Sequence, residues 1–515
     1  MEAARRFYAI VLADFRERCR RTGFLVVLAA VAIATWWCFP PADAGYVTVA
    51  VGDARGAYSP AWIGMVLALV HAVILGLAGF YIVRGTITRD FETRVWQLLV
   101  ATPMTRFGWL LAKWTSHLAL LSLLVGVGLL VGLAAQFHRG ESTAIAPWQL
   151  LQPALVLTLP AMALTAFFAV LFDVVPWLRR SGGNVLYFFL WVFVFVSPAD
   201  MAADAATQAA SAYSEPGGMS LAMRDIRADL QARGLPADGG FSIGVSIVEG
   251  GVTTFAWDRW SPRAADVGGR LLWVGVSLLG LLALAPLLDR AAARSEVRQT
   301  GQRAVPGLRL AWLDLLLAPL DRFGFGRLLA AEIRLVLRQR RVSWWLALLV
   351  LLAVQAFAPA KGMAIAVIGA WLACIDVFAR AALRERETGT AAMVFSAPGA
   401  GWRLLGVRLA ASVLLALGVV LPALVRAGMS GSGTLAALVA TAVAIAVVGL
   451  ALAAACRNPR PFELLLVFVA YIGVQGDPLL NPFADPPATL ARQGVVIAVA
   501  VALLLGAWAV SIRRH

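Results

Sequence analysis

Residues 84–113 read RGTITRDFETRVWQLLVATPMTRFGWLLAK, and residues 379–408 read ARAALRERETGTAAMVFSAPGAGWRLLGVR. The two stretches align without a gap when position 84 is set against position 379. Each stretch is polar and rich in arginine, and each follows the second long apolar run of its half and precedes the third. A polar element repeated at the same place in two apolar halves predicts a duplicated membrane unit.

The aligned stretches share five identical residues and two further positions of matched charge. The identical pairs are Arg89 with Arg384, Glu92 with Glu387, Thr93 with Thr388, Pro103 with Pro398 and Leu110 with Leu405. The charge-matched pairs are Asp90 with Glu385 and Lys113 with Arg408. Charged residues at helical spacing, a short amphipathic stretch and a proline that can start the next helix predict a surface helix joined to the next span. An ordinary charged loop is the alternative.

The composition identifies the class of protein. Hydrophobic residues make up 61% of the chain, charged residues 14%, and the mean hydropathy is +0.80. Soluble domains carry about 25% charged residues, so we predict an all-α integral membrane protein whose spans are apolar runs of about 20 residues. Twelve such runs are found, at 24–39, 61–83, 109–134, 150–172, 184–198, 268–288, 343–359, 362–379, 404–425, 433–455, 463–476 and 493–511.

The runs divide into two halves of six. Residues 1–288 form the first unit, residues 289–342 a basic connection, and residues 343–515 the second unit. Amphipathic helices are predicted at 2–21 and 331–341, just before the first run of each half. The first unit also contains a large loop at about 199–267, in which we expect a helix at 221–234 and short strands or a hairpin at 241–257.

Charge predicts the orientation. Three quarters of the 44 lysines and arginines lie in the segments that would be cytoplasmic if the N-terminus were inside, whereas acidic residues divide about evenly. By the positive-inside rule, both termini are expected in the cytoplasm. The same asymmetry explains the net charge of +15 through membrane lipids and gives no reason to expect a nucleic-acid partner. Residues 308–320 are interpreted as interfacial; a crossing there would invert every later loop.

Several chemical signatures are absent from the sequence. It contains no GxxxxGK[ST] motif, so ATP binding by a P-loop is excluded and no enzymatic activity is expected. The four histidines form no metal-ligand pattern. Among the ionisable residues within the apolar runs, two are candidate pore residues. They are His71, and Asp376, for which an ion pair with Arg380 four residues later is expected.

The second stretch resembles a known family. Its Glu387, Gly389, Thr390, Pro398 and Arg408 look like the E-x-G-T…P…(G)K pattern of ABC type-2 exporter permeases. In the first half, Arg94 and Val95 replace the Gly-Thr pair. The remaining expected coupling residues follow from the alignment, namely Arg89, Asp90, Glu92, Thr93, Pro103, Arg384, Glu385 and Thr388.

The resemblance implies a function. Members of this family export substrates from the bacterial inner membrane, and segments between spans two and three dock on separate ATPase subunits that bind ATP and Mg²⁺. This chain would need no cofactor of its own and would work with two copies of such an ATPase. The cargo would pass along spans two and five, and an amphipathic, lipid-like, peptide or drug-like molecule is expected. A gating or partner-binding role is expected for the 199–267 loop. The alternatives are a gradient-driven secondary transporter and a membrane scaffold or enzyme that uses this loop.

Overall fold

The chain divides into two compact units, Met1–Gly301 and Gln302–His515. The computed structural model describes residues 2–20, 22–41, 46–93, 95, 103–179, 181–196, 215–237, 240–247, 252–289, 311–340, 342–397, 399–474 and 477–512. Residues 290–310 and 341 of the predicted basic connection therefore lie outside the described residues. Each unit is described separately below.

The first unit is built from nine helices among its described residues. They are α1 (Glu2–Cys19), α2 (Thr22–Trp37), α3 (Pro60–Val83), α4 (Thr86–Glu92), α5 (Arg106–Arg139), α6 (Pro147–Val174), α7 (Gly182–Val196), α8 (Met219–Ala232) and α9 (Ala264–Leu287).

The described part of the second unit continues with eleven helices. They are α10 (Ala311–Leu317), α11 (Gly324–Arg338), α12 (Val342–Phe357), α13 (Ala360–Arg380), α14 (Arg384–Glu387), α15 (Ala391–Phe395), α16 (Ala400–Gly418), α17 (Leu421–Ser430), α18 (Ser432–Cys456), α19 (Arg460–Val474) and α20 (Pro486–Ile512).

Every apolar run predicted from the sequence is mainly helical where the structure describes it, so the all-α membrane fold is confirmed. Eight of the described helices are long and apolar enough to cross a bilayer by length and composition. The helices α2, α7, α12 and α19 are shorter. The count of twelve spans therefore stays a prediction. The apolar segment near residue 308 is described from α10 onward, and a seven-residue helix is too short to cross.

The first unit is packed around α3. Its neighbours approach through glycine: a Cβ added at Gly64 would lie 2.5 Å from the Leu150 carbonyl oxygen of α6, and one at Gly132 of α5 would lie 2.6 Å from a Leu67 methyl group. Small residues at such crossings let helix backbones come close enough for extensive van der Waals contact. Helix α3 is consequently almost wholly buried inside its own unit.

A four-stranded sheet covers one end of this unit. Its strands are β1 (Tyr46–Val51), β2 (Ala54–Gly56), β3 (Phe241–Ile247) and β4 (Thr253–Phe255), and their order is β3-β1-β2-β4. The strands expected in 241–257 are confirmed, but the expected hairpin is wrong because β3 and β4 each pair with a strand of the 46–56 segment. The sequence analysis missed that segment, whose strands are only six and three residues long.

The sheet is fastened to the helices by polar contacts. Arg55 donates to both carboxylate oxygens of Glu141, at 2.9 and 2.6 Å, and the Tyr58 N–H donates to the same carboxylate at 3.0 Å. Burial raises the pKa of Glu141, but these hydrogen bonds outweigh burial and hold the pKa below its usual value. Since β2 precedes α3 and residue 84 follows it, the sheet and the 84–113 stretch lie at opposite ends of a helix about 36 Å long.

The second unit has two apolar clusters among its described residues. In the first, Leu450 of α18 packs with Leu504 and Trp508 of α20. In the second, Leu329 and Ile333 of α11 pack with residues of α10 and α16. The amphipathic helix α11 is therefore joined on its buried side to the helix that follows residues 379–399.

Candidate functional site

The stretch 84–113 begins with a bend that α6 holds in place. Gly85 has a φ of 92°, which non-glycine residues rarely adopt. Asp173 Oδ2 accepts from the N–H groups of Gly85 at 2.8 Å and Ile87 at 3.2 Å, and Arg84 Nε lies 3.7 Å from Asp173 Oδ1. Because Arg84 and Asp173 are buried, the direction in which α4 leaves α3 is fixed from inside the unit.

An ionic cluster connects α4 to α1 and α5. Lys113 Nζ lies 2.6 Å from Asp14 Oδ2 and 2.6 Å from Asp90 Oδ2, and the Lys113 side chain is 3% exposed. Arg89 donates to both carboxylate oxygens of Glu17. Lys113 and Arg89 thereby join the amphipathic helix α1, the start of the 84–113 stretch and the long helix α5.

The second unit has an equivalent ionic cluster. Arg384 donates to Glu332 of α11, and Arg408 of α16 donates to Glu385. Arg408 Nε also lies 3.5 Å from Glu332 Oε1, and the Arg408 side chain is 2% exposed. Glu332 thus contacts both cations. In the first unit two separate acids do so: Asp14 binds Lys113, and Glu17 binds Arg89.

The two clusters match position by position. A buried cation at 113 or 408 binds an acid at 90 or 385, and an arginine at 89 or 384 binds an acid on the amphipathic helix. The sequence analysis recognised the matched charges but missed the acids of α1 and α11. In the sequence, each of these acids is only an acidic residue on the helix before the first apolar run of its half. Its role as an ion-pair partner is apparent only from the folded structure.

The threonines that follow the acids occupy equivalent positions. Thr93 Oγ1 donates to the Arg89 carbonyl at 2.9 Å, and Thr388 Oγ1 donates to the Arg384 carbonyl at 2.9 Å. In the second unit the turn continues through Gly389, whose φ is 72°. The aligned residue in the first unit is Arg94, which lies outside the described residues.

The remaining residues of the Glu-Thr-Gly-Thr turn are partly exposed. Thr390 N–H donates to the Glu385 carbonyl at 2.8 Å, and its hydroxyl lies 2.9 Å from that of Thr388. Glu387 is within 3.4 Å of Arg380 in an exposed pair. Glu92 ends α4 but its side chain lies outside the described residues, as does Pro398.

The expected helix start at proline is wrong in the first unit. Helix α5 begins at Arg106, three residues after Pro103. Thr105 is its N-cap and accepts from the Gly108 N–H at 3.0 Å. A threonine side chain satisfies a free N–H of the first turn, which a proline at position 103 does not, and this explains the later start.

The two candidate pore residues are not brought together with these clusters. His71 is buried against Gly128, where an added Cβ would lie 2.5 Å from His71 Nε2. Neither ring nitrogen of His71 has a hydrogen-bond partner among the described residues. Asp376 pairs with Arg340 at 2.7 Å, so the expected pair with Arg380 is wrong. Arg340, two residues after the end of α11, occupies Asp376, and Arg380 pairs with Glu387 instead.

Within the described residues, no group of three or more His, Cys, Asp or Glu side chains could hold a metal ion. Two carboxylates of the first cluster, Asp14 and Asp90, are both bound by Lys113. The clusters therefore consist of ion pairs that connect helices. Their geometry suits a mechanical connection, since it joins three helices at a point where a polar segment leaves the apolar core.

Comparison with known proteins identifies the class. A family model described as ABC-2 family transporter protein matches residues 8–234. Residues 8–234 are therefore similar to the membrane subunits of ABC-2 transporters. The matched region includes two thirds of α1, the whole 84–113 stretch and α8, so it contains the complete ionic cluster of the first unit. No curated protein and no solved structure was matched.

The family match confirms the resemblance found in the sequence, and the described helices agree with a multi-pass membrane permease. The match ends at residue 234, within the first unit. In the second unit, the equivalent cluster around Arg408 is the structural counterpart of the matched permease features.

Proposed function

We propose that this ABC-2 permease is the membrane subunit of an ATP-driven exporter and that it couples to separate ATPase subunits through residues 84–113 and 379–408, here called the docking segments. The family implies an ABC ATPase as partner. The observation that carries the assignment of these segments is the pair of equivalent ionic clusters. Each cluster fixes one docking segment to an amphipathic helix and to the helix that continues into the apolar core.

The clusters provide a route for force. Force applied to the second docking segment near the exposed Glu387 acts on α14. Helix α14 transmits it to α11 through Glu332 and to α16 through Arg408. Buried ion pairs resist separation because each partner would be left as an uncompensated charge. An ATPase that moves the docking segment would therefore move all three helices together.

Two clusters favour two ATPase copies. Arg89 and Arg384 occupy equivalent places, as do Thr93 and Thr388, so each docking segment presents similar backbone and charge to a partner. ABC ATPases bound to both segments would drive export from the cytoplasm, with both permease termini on that side. We place this complex in the bacterial inner membrane.

The proposed cargo is amphipathic or lipid-like, with peptides and drug-like molecules as related possibilities. Support comes from α7, the fifth apolar run of the first unit. Tyr187 stacks on Phe80 with ring centroids 3.5 Å apart, and Trp191 Nε1 donates to the Val73 carbonyl at 2.9 Å, so this side of α7 is occupied by α3. The other side exposes Phe189 by 56% and Phe193 by 74%. Aromatic rings on this surface would favour a cargo with a large apolar part.

The docking proposal can be tested by purification from native membranes. The double variant Glu92→Arg/Glu387→Arg should lose a co-purifying ATPase, detected by mass spectrometry through its Walker-motif peptides. The control is Arg259→Gln, since Arg259 is an exposed residue at the sheet end of the first unit. An intact complex and unchanged ATPase stimulation in the double variant would refute the assignment of the docking segments.

A second measurement tests the energy source. Export into inverted vesicles should require ATP and should stop when the partner's Walker lysine is replaced. Export that continues without the ATPase and depends on His71 or Asp376 would instead establish a gradient-driven transporter. The same vesicles, trapped with the hydrolysis-dead ATPase, would identify the cargo by mass spectrometry of bound molecules.

A further inference from the structure

Residues 312–335 present an exposed apolar face that the proposed coupling function does not use. On α10, the exposed fractions of Trp312, Leu315 and Leu316 are 52%, 79% and 66%. At the start of α11, Phe323 is exposed by 68% and Phe325 by 52%. A contiguous apolar patch of this kind on a folded protein marks a surface that another molecule covers.

The apolar face continues along α11. Leu328, Ala331 and Leu335 are exposed and follow one another at spacings of three and four residues, so they form one stripe along the helix. The opposite side of α11, which contains Leu329 and Ile333, is buried against its own unit. Helix α11 is thus apolar on both its inner side and its outward stripe.

Arginines follow one flank of the outward stripe. Arg327, Arg334 and Arg338 are spaced by seven and four residues and share a side of α11. Arg334 and Arg338 bind Asp314 of α10, at 3.0 and 2.8 Å, which holds the two helices together. Among the described residues, Arg327 has no ion pair.

The tip between α10 and α11 is basic and aromatic. Arg322 and Arg327 are both exposed, flank Phe323 and Phe325, and have no ion pair among the described residues. Their sequence context, DRFGFGR at 321–327, follows the sixth apolar run and has no role in the docking segments. An apolar stripe with an arginine flank and aromatic side chains is the pattern of a helix that lies in the headgroup region of a membrane.

The depth of this face relative to a bilayer follows from the next helix. Helix α12 starts four residues after α11 ends and exposes Leu346 by 59%, Leu349 by 65% and Val350 by 58%, as a lipid-facing helix does. Trp312 of α10 contacts Trp345 of α12, with ring centroids 5.8 Å apart. Helices α10 and α11 therefore lie at the level where α12 enters the apolar core.

We propose that residues 312–335 form a binding surface for anionic phospholipid. The apolar stripe and the phenylalanines enter the acyl boundary, and Arg322 and Arg327 bind the phosphate of the headgroup. A bilayer of neutral lipids would cover only the apolar part of this surface. The two exposed arginines add a requirement for negative charge, because cationic side chains near an anionic leaflet gain electrostatic free energy.

Lipid retention by the purified full chain tests the proposal. The protein is placed in nanodiscs of phosphatidylcholine with phosphatidylglycerol, extracted with mild detergent, and its bound lipids are counted by native mass spectrometry. The double variant Arg322→Gln/Arg327→Gln should bind phosphatidylglycerol about thirtyfold more weakly, since each arginine contributes about a fivefold change. The matched control Arg259→Gln/Arg492→Gln removes two arginines elsewhere and should retain the lipid.

A charge-preserving variant separates electrostatics from folding. Arg322→Lys/Arg327→Lys should keep most of the phosphatidylglycerol, whereas Phe323→Ser/Phe325→Ser should weaken retention of both lipids. In the unaltered protein, a photoactivatable phosphatidylglycerol should label peptides from residues 311–338. That labelling does not depend on whether a variant folds.

Three outcomes would overturn the proposal. They are equal phosphatidylglycerol retention in the glutamine variant and the wild type, absence of label from residues 311–338, and loss of ATPase co-purification with lipid retention unchanged. The last result would show that a protein partner covers this surface. Failure of the docking-segment test leaves the lipid measurement unaffected, because that measurement needs no ATPase.

Discussion

Replacing Lys113 with methionine should destabilise the first unit strongly. Lys113 is 3% exposed and binds Asp14 and Asp90, whose side chains are 12% and 8% exposed. A charge-assisted hydrogen bond contributes about 1.5–3 kcal/mol, and removal of one partner of a buried pair costs about 3–5 kcal/mol. We expect a loss of about 4 kcal/mol, because both carboxylates remain buried beside an apolar side chain.

Thermal unfolding in detergent, followed by tryptophan fluorescence, measures this loss. At about 2 °C per kcal/mol for a unit of this size, Lys113→Met should lower Tm by about 8 °C. The control is Arg89→Met, in which the broken pair with Glu17 is 32% and 45% exposed. Exposed pairs contribute about 0–1 kcal/mol, so this control should lower Tm by about 2 °C or less.

A neutral triple variant tests the cause. Asp14→Asn/Lys113→Met/Asp90→Asn removes the orphaned charges and should recover most of the Tm lost in Lys113→Met, since a neutral replacement of a buried ionic group is often tolerated. Equal Tm values for Lys113→Met and Arg89→Met would refute the reasoning. Failure of the triple variant to recover any stability would also contradict it.

Three further predictions concern other contacts. Asp376→Arg/Arg340→Asp should restore part of the Tm lost in Asp376→Arg alone, as the 2.7 Å pair requires; equal Tm values would contradict the pair. Gly64→Leu should reduce the yield of monodisperse protein in size-exclusion chromatography, because its Cβ would meet a backbone carbonyl at 2.5 Å, and a normal yield would refute that close approach. The hydrogen bonds from Arg55 and Tyr58 hold the folded-state pKa of Glu141 below its usual value of about 4.5, so the contact with Arg55 should stabilise fully above about pH 4.5 and be lost as pH falls through the folded-state pKa. Glu141→Gln should therefore remove part of the acid sensitivity of Tm, and an unchanged pH profile would argue against this contribution.

The sequence was sufficient to predict the helices and the repeated polar stretches at 84–113 and 379–408. Apolar runs of span length need no tertiary information, because a bilayer admits few alternatives to a helix. The aligned pairs Asp90 with Glu385 and Lys113 with Arg408 already indicated that charge was repeated. The sequence alone did not predict which charged residues form ion pairs with each other. Asp376 was assigned to Arg380 by local spacing, yet Arg340, 36 positions away in sequence, is its partner.

The sheet shows the same limit. Strand β1 pairs with β3 across almost 200 residues, and no local pattern encodes that choice. Residues 241–247 have the composition of a strand, but whether such a strand pairs with its sequence neighbour or with a distant segment depends on which edge the folded helices bring near. Likewise Glu332 could be recognised as part of an amphipathic helix, whereas its contacts with Arg384 and Arg408 required the fold.

The use of one carboxylate by two arginines gives the two units different tolerance to mutation. In the first unit Asp14 and Glu17 serve separate cations, so an inherited change at either acid leaves the other connection standing. In the second unit Glu332 is shared, and a single nucleotide change there would remove its contacts with both Arg384 and Arg408, so that Arg408 would keep only its pair with Glu385. Natural variation should therefore be narrower at position 332 than at 14 or 17, although all three residues carry the same charge.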